Sequence, residues 1–208
     1  MPNLKSTSVR AVKSRMRPRR GPEEKLRRLV DAAYATFAER GYHATTIHEI
    51  CRRAGVGVGT FYAHFGSKSE VLARVIEEHS DRTLASIRSS HLLGIAALAR
   101  KLAEFMDDPR AVGLDRAWRE AVLDDARLRR IDSDLRRNAH AVLTSAVAEA
   151  RDLPLPQGSV GVEPGPVAWA IIALTREFVI LDRRDSPDIE RIATMILELV
   201  HPAGARRR

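Results

Sequence analysis

Residues 45–65 read TTIHEICRRAGVGVGTFYAHF, and this stretch decides the fold. Ile47, Ile50, Cys51 and Ala54 recur at three- and four-residue spacing, the mark of one buried stripe on a short helix over about 46–54. Thr46, with Glu49 three residues later, forms a capping-box pattern at its start. Gly55-Val56-Gly57 is a turn, and a second short helix follows over 58–65, anchored by Val56, Phe61 and Phe65. Two short helices joined by a glycine-containing turn form a helix-turn-helix. Its first helix crosses the DNA backbone while its second enters the major groove. Val58, Gly59, Thr60, Tyr62, Ala63 and His64 then fall nearer solvent or DNA. Gly57 and Gly59 would each cost about 1 kcal/mol relative to alanine in a helix interior. That cost points to close backbone approach, either to the helix before it or to DNA. An ordinary αα-turn with no partner has the same bare pattern.

Outward from this core the chain stays helical, and strand-type alternation is almost absent. Upstream, Pro22 with Glu23 and Glu24 starts a helix marked by Leu26, Val30, Ala33 and Phe37, which Gly41 stops after Arg40. Downstream, Gly66-Ser67 breaks the short helix, and Ser67 caps a long one over 68–89. Further helices are predicted over 92–107, 110–123, 126–151, 165–183 and 187–201. Asp124-Asp125 stands ready to cap the third of these, and Pro109, Pro154, Pro156, Pro164, Pro166 and Pro187 punctuate the series. The class is all-α.

The net charge of +8 is unevenly spread. Residues 1–21 carry seven Lys/Arg and no acid, and Arg206, Arg207 and Arg208 close the chain, which leaves residues 22–205 at −2. Positive tails on a near-neutral body attract polyanions through counterion release without reading sequence. They are equally compatible with plain solvation. No apolar run approaches the roughly 18–20 residues of a membrane span, and no apolar segment follows the basic start as a secretory signal requires. A cytoplasmic location is expected. One cysteine, Cys51, excludes an internal disulfide or a multi-cysteine zinc site. Cys51 reads as a small buried hydrophobe.

The wording of residues 41–50 (GYHATTIHEI) and 54–68 (AGVGVGTFYAHFGSK) closely resembles the signature of TetR-family transcriptional regulators, over about residues 22–72. The resemblance implies a three-helix DNA-binding unit and a larger helical domain for ligand binding and dimerisation. It places Thr46, Tyr62 and Lys68 on phosphates, and His48, Val58, Thr60 and His64 toward base edges, with Gly59 between them. Two positions depart from the family pattern. Gly57 stands where a serine-like cap is usual, and Val58 is apolar where a polar base-reader is common. The expected organisation is a basic arm over 1–21, a DNA-binding domain over 22–66, a ligand-binding and dimerisation domain over 67–202, and a basic tail over 203–208.

The resemblance also implies an apolar ligand cavity, with Phe105, Met106, Trp118, Leu143 and Trp169 as candidate lining and His140 and Asn138 as weaker polar candidates; each also reads as plain core. The last two predicted helices carry broad apolar faces, Trp169, Ile172, Ala173 and Phe178 on one and Ile189, Ile192, Met195, Ile196 and Leu199 on the other. Such a pair suits a two-fold four-helix homodimer. The seven histidines show no metal-ligand spacing, and no phosphate loop or nucleophile motif is present, so neither catalysis, a metal nor a cofactor is expected. The expected function is repression from a palindromic operator, relieved by a small molecule. A basic architectural protein that binds all DNA alike is the alternative.

Overall fold

The computed structural model describes residues 21–90, 104, 108–150 and 163–180. Among them all regular structure is helical: α1 (Pro22–Arg40), α2 (Ile47–Ala54), α3 (Val58–Tyr62), α4 (Lys68–Ser90), α5 (Pro109–Asp124), α6 (Ala126–Ala150) and α7 (Pro164–Ile180). The basic arm and tail, the helix expected over 187–201 and nearly all of that over 92–107 lie outside the described residues.

Local chemistry accounts for the ends of these helices. α1 opens on Pro22 with Glu23 and Glu24 in its first turn and closes on Gly41, whose φ of 77° is left-handed. Thr46 caps α2 by accepting from the Glu49 N–H at 3.2 Å. The Glu49 carboxylate pairs with Arg40, so the second arm of the predicted box is spent on α1. Gly55 ends α2 at φ 63°. Ser67 caps α4 through the Glu70 N–H, and the Glu70 carboxylate accepts from the Gly66 N–H at 2.8 Å. Asp125 caps α6 through the Arg127 N–H at 2.8 Å. α3 is shorter than the predicted 58–65. It ends at Tyr62, but the Phe65 N–H still bonds the Phe61 carbonyl, and both rings are buried.

Packing divides differently from the chain order. The first core joins Leu29, Ala33 and Phe37 of α1 with Ile50 and Cys51 of α2, Phe61 and Phe65, the start of α4, and Leu114, Ala117, Trp118 and Ala121 of α5. A second core joins Leu84 and Ile87 at the end of α4 with Leu143 and Val147 of α6 and Ala168 and Ile171 of α7. Full burial of each large side chain here contributes about 1.5–3 kcal/mol. The helix-turn-helix is therefore held by α5 as well as by α1 and the start of α4. Small residues at four-residue spacing make this possible. A Cβ on Gly113 would overlap the Ala38 backbone of α1, and Ala117 and Ala121 continue the seam fully buried.

Candidate nucleic-acid interface and cavity

The α1–α2 turn sets the entry to α2. Thr45 is buried, and its hydroxyl donates to the Gly41 carbonyl at 2.6 Å. Thr46 follows, exposed, with its oxygen accepting from Glu49 and its hydroxyl proton left to donate outward. His48 is exposed one residue into α2. On α3, Tyr62 is 57% exposed and leans edge-on against the buried Phe61 ring. Thr60 and His64 are half-buried, and Gly59 is exposed. Thr46, His48, Gly59, Thr60, Tyr62 and His64 thus all reach the surface of one helix pair.

Two predicted contacts sit differently. Val58 packs partly buried against the first core, which explains an apolar residue at that position without a base partner. Lys68 was aimed at a phosphate by the resemblance. The structure turns its ammonium inward, where Nζ donates to the Tyr42 and Thr45 carbonyls at 2.8 and 2.9 Å and sits 4.2 Å over the Tyr42 ring. Two of its three N–H donors are thereby occupied. Burial lowers the Lys68 pKa, with Glu120 opposing.

The glycines resolve an alternative left open by the sequence. A Cβ on Gly57 or Gly59 would meet nothing within 4 Å. Packing against the preceding helix is therefore not what these glycines serve. Among the neighbouring cations, Arg53 makes a two-bonded pair with Glu39 at 2.6 and 2.7 Å. That bond holds the Glu39 carboxyl below its usual range. Cys51 is buried, and burial pushes its thiol pKa up, as suits a hydrophobic filler.

A cavity of about 550 Å³ lies between α1, α4, α5, α6 and α7, within the usual size range for an organic ligand. Of the candidate lining residues, Trp118 and Leu143 border this cavity. Phe105 and Met106 lie outside the described residues. Trp169 does not line it: the ring is 49% exposed and stacks on His140 at 4.6 Å, while Ile171 and Ile172 of the same helix face the cavity. His140 is engaged instead with the Gly165 carbonyl at 3.1 Å, and Asn138 is exposed. The polar lining was not legible in the sequence: Tyr34 of α1, His79 and Arg82 of α4, Asp108 and Asp115 at and in the start of α5, and Asp132 and Arg136 of α6. Trp118 Nε1 donates to Asp132 Oδ1 at 2.9 Å, both groups buried, and Asp132 also pairs with Arg136. Burial, then Arg82, lowers the His79 pKa. The periodicity of Ile76, His79, Thr83 and Ile87 along α4 was the available signal for part of this lining.

The all-helical fold and the exposed α2–α3 surface define a helix-turn-helix protein. Residues 29–75 match the family model for bacterial regulatory proteins of the tetR family. It is 38% identical over 68 residues to the HTH-type transcriptional activator FasR of Mycolicibacterium smegmatis, covering 33% of this chain and 31% of that protein. It is likewise 38% identical over 66 residues to the HTH-type transcriptional regulator HbdR of Aromatoleum, covering 32% and 29%. These matches span less than a third of the relatives' own lengths. Solved structures resemble the chain more widely. A putative transcriptional regulator from Pseudomonas aeruginosa superposes with a TM-score of 0.70 at 18% identity, covering 88% of this chain and 91% of that one. A putative transcriptional regulator from Saccharomonospora viridis in complex with choline gives 0.68 at 15% identity, covering 86% and 96%. At such identities the likeness establishes the fold.

Proposed function

We propose that this protein is a sequence-specific DNA-binding transcriptional regulator, a repressor released from a palindromic operator by a small organic ligand. The observation that carries the reading is the open recognition surface: Gly59 has no neighbour that needs its missing side chain, and Thr46, His48, Thr60, Tyr62 and His64 are disposed around it. Thr46 and Tyr62 take phosphate oxygens, and Gly59 lets the backbone of α3 approach the groove floor. His48, Thr60 and His64 supply the polar contacts to base edges. Lys68 braces the α1–α2 turn and keeps one N–H for a phosphate. Val58 contributes packing.

Palindromic reading needs two recognition helices about one DNA turn apart, and hence a homodimer. α7 supports that assembly, because Trp169, Ala170 and Ala173 form an exposed apolar strip on a helix whose other side is core. The effector enters the cavity, and it acts only if it binds the DNA-incompetent arrangement better. Related names point in several ligand directions, choline for one structural neighbour and fatty acid degradation for another, FadR of Bacillus halodurans.

Selection of bound duplexes from a random pool, followed by footprinting on the enriched sequence, tests the reading. A regulator enriches an inverted repeat and binds it at least about a thousandfold tighter than mixed sequence at fixed salt. Uniform, salt-dependent binding to every duplex would establish the architectural alternative instead.

A further inference from the structure

We propose that Glu120, on a helix that walls the cavity, is a positioning residue for the DNA-reading helices; the proposal rests on the regulator reading above. α5 has two working faces. Ala111, Leu114, Asp115 and Trp118 line the cavity. Gly113, packed on the Ala38 backbone, begins the face turned to α1, and Glu120 continues that face beyond the end of α1.

Glu120 Oε2 accepts from the Tyr42 N–H at 2.7 Å and from the His43 N–H at 3.2 Å. Gly41, just before them, lies against the same carboxylate: a Cβ there would sit 2.9 Å from Glu120 Oε1. One carboxylate thus receives a tight turn from 78 residues away in sequence. From the other side, Lys68 of α4 takes the Tyr42 and Thr45 carbonyls. The Tyr42 peptide groups are held with N–H on an anion and C=O on a cation, and hydrogen bonds to charged groups are the strong ones. The turn so clamped runs directly into Thr46, the cap of α2.

The position of α2 is therefore referred to two helices, α4 and α5, that both line the cavity. An occupant that displaces α5 along α1 withdraws the acceptor from Tyr42 and His43 and frees the start of α2. Packed cores respond to such shifts by switching between discrete arrangements, which makes a short clamp an effective relay.

The full-length protein carries the test, with the operator that wild type enriches from the random pool as probe. E120A removes the acceptor, and E120Q retains one carbonyl oxygen. E120A is expected to lose operator affinity at least tenfold while E120Q stays within threefold, and both hold their affinity for a mixed-sequence duplex within twofold. Amide exchange at Tyr42 and His43 rises at least tenfold in E120A and stays unchanged at Leu29 in the core. Operator affinity of E120A within threefold of wild type overturns the proposal. So does an equal loss on both duplexes accompanied by a fall in melting temperature, which marks a merely structural role. Should E120A fail to fold, wild-type exchange decides: unprotected Tyr42 and His43 amides overturn the clamp, and protected ones with E120Q at wild-type affinity support it. If wild type enriches no sequence, the regulator reading falls and takes this proposal with it. An enriched operator that E120A still binds fully removes the positioning role alone.

Discussion

Gly113 of α5 lies against the Ala38 carbonyl of α1, so closely that a methyl group in its place would overlap the backbone. This crossing joins the recognition module to the region that holds the cavity, and nothing soft lies in the way to absorb a larger residue. Gly113→Ala should therefore push the helices apart and cost about 1–3 kcal/mol, as overpacking of a dense core does. In a protein of this size that lowers the melting temperature by several degrees. Denaturant unfolding of the two proteins checks it. A Gly113→Ala variant at wild-type stability or above would show that helix propensity outweighs the clash.

The recognition module was legible in the sequence because its signals are local. Thr46, Gly41, Gly55 and Ser67 act on backbone groups within four residues, and each cap was found where its residue type and spacing placed it. The α5 crossing was not legible. Gly113, Ala117 and Ala121 look like ordinary helix composition until a second helix is laid over them. The cavity was half legible for a similar reason. Trp118 and Leu143 were found through bulk and apolarity, but Trp169 has the same credentials and faces outward, where it stacks on His140. The charged wall, Asp132 with Trp118 and Arg136, depends on three side chains meeting from two helices. Lys68 is the converse case: the family pattern located the residue, and the fold adds that its ammonium also donates to the Tyr42 and Thr45 carbonyls.

His79 makes stability depend on pH in a definite direction. Burial first, then Arg82, lowers its pKa in the folded state, with Asp108 and Asp115 partly opposing. The unfolded chain, with a histidine pKa near 6.5, takes up the proton more readily. Its contribution is complete above about pH 6.5, is lost as pH falls through that value, and levels off below the folded pKa. Urea unfolding at pH 7.5 and 5.5 should show wild type losing stability that His79→Gln does not lose, by at most about 1.4 kcal/mol per pH unit. Parallel losses in both proteins would remove His79 from the effect.

The basic arm should be visible in salt dependence. Residues 1–20 contain seven Lys/Arg, and each phosphate they neutralise contributes about 0.9 to the slope of log affinity against log salt. Deleting residues 1–20 should flatten that slope by about two units or more while the enriched operator sequence stays the same. Titrations across a salt series give the number directly, and an unchanged slope would take the arm out of DNA binding.

Gly59 separates stability from recognition. It lies in α3 with open space where its side chain would be, so Gly59→Ala meets no clash within the protein. Alanine loses less backbone freedom on folding and favours the helix, a gain of about 0.4–1 kcal/mol. A merely structural position would show that gain and nothing else. If Gly59 instead allows the α3 backbone to reach the floor of the groove, the added methyl holds the helix off the bases. The variant should then melt higher than wild type and bind the enriched operator at least tenfold more weakly, with mixed-sequence affinity held by the phosphate contacts. Calorimetry and a binding titration on the same preparation measure both signs. A variant that is more stable and binds the operator as well as wild type would mean that α3 does not approach DNA at Gly59.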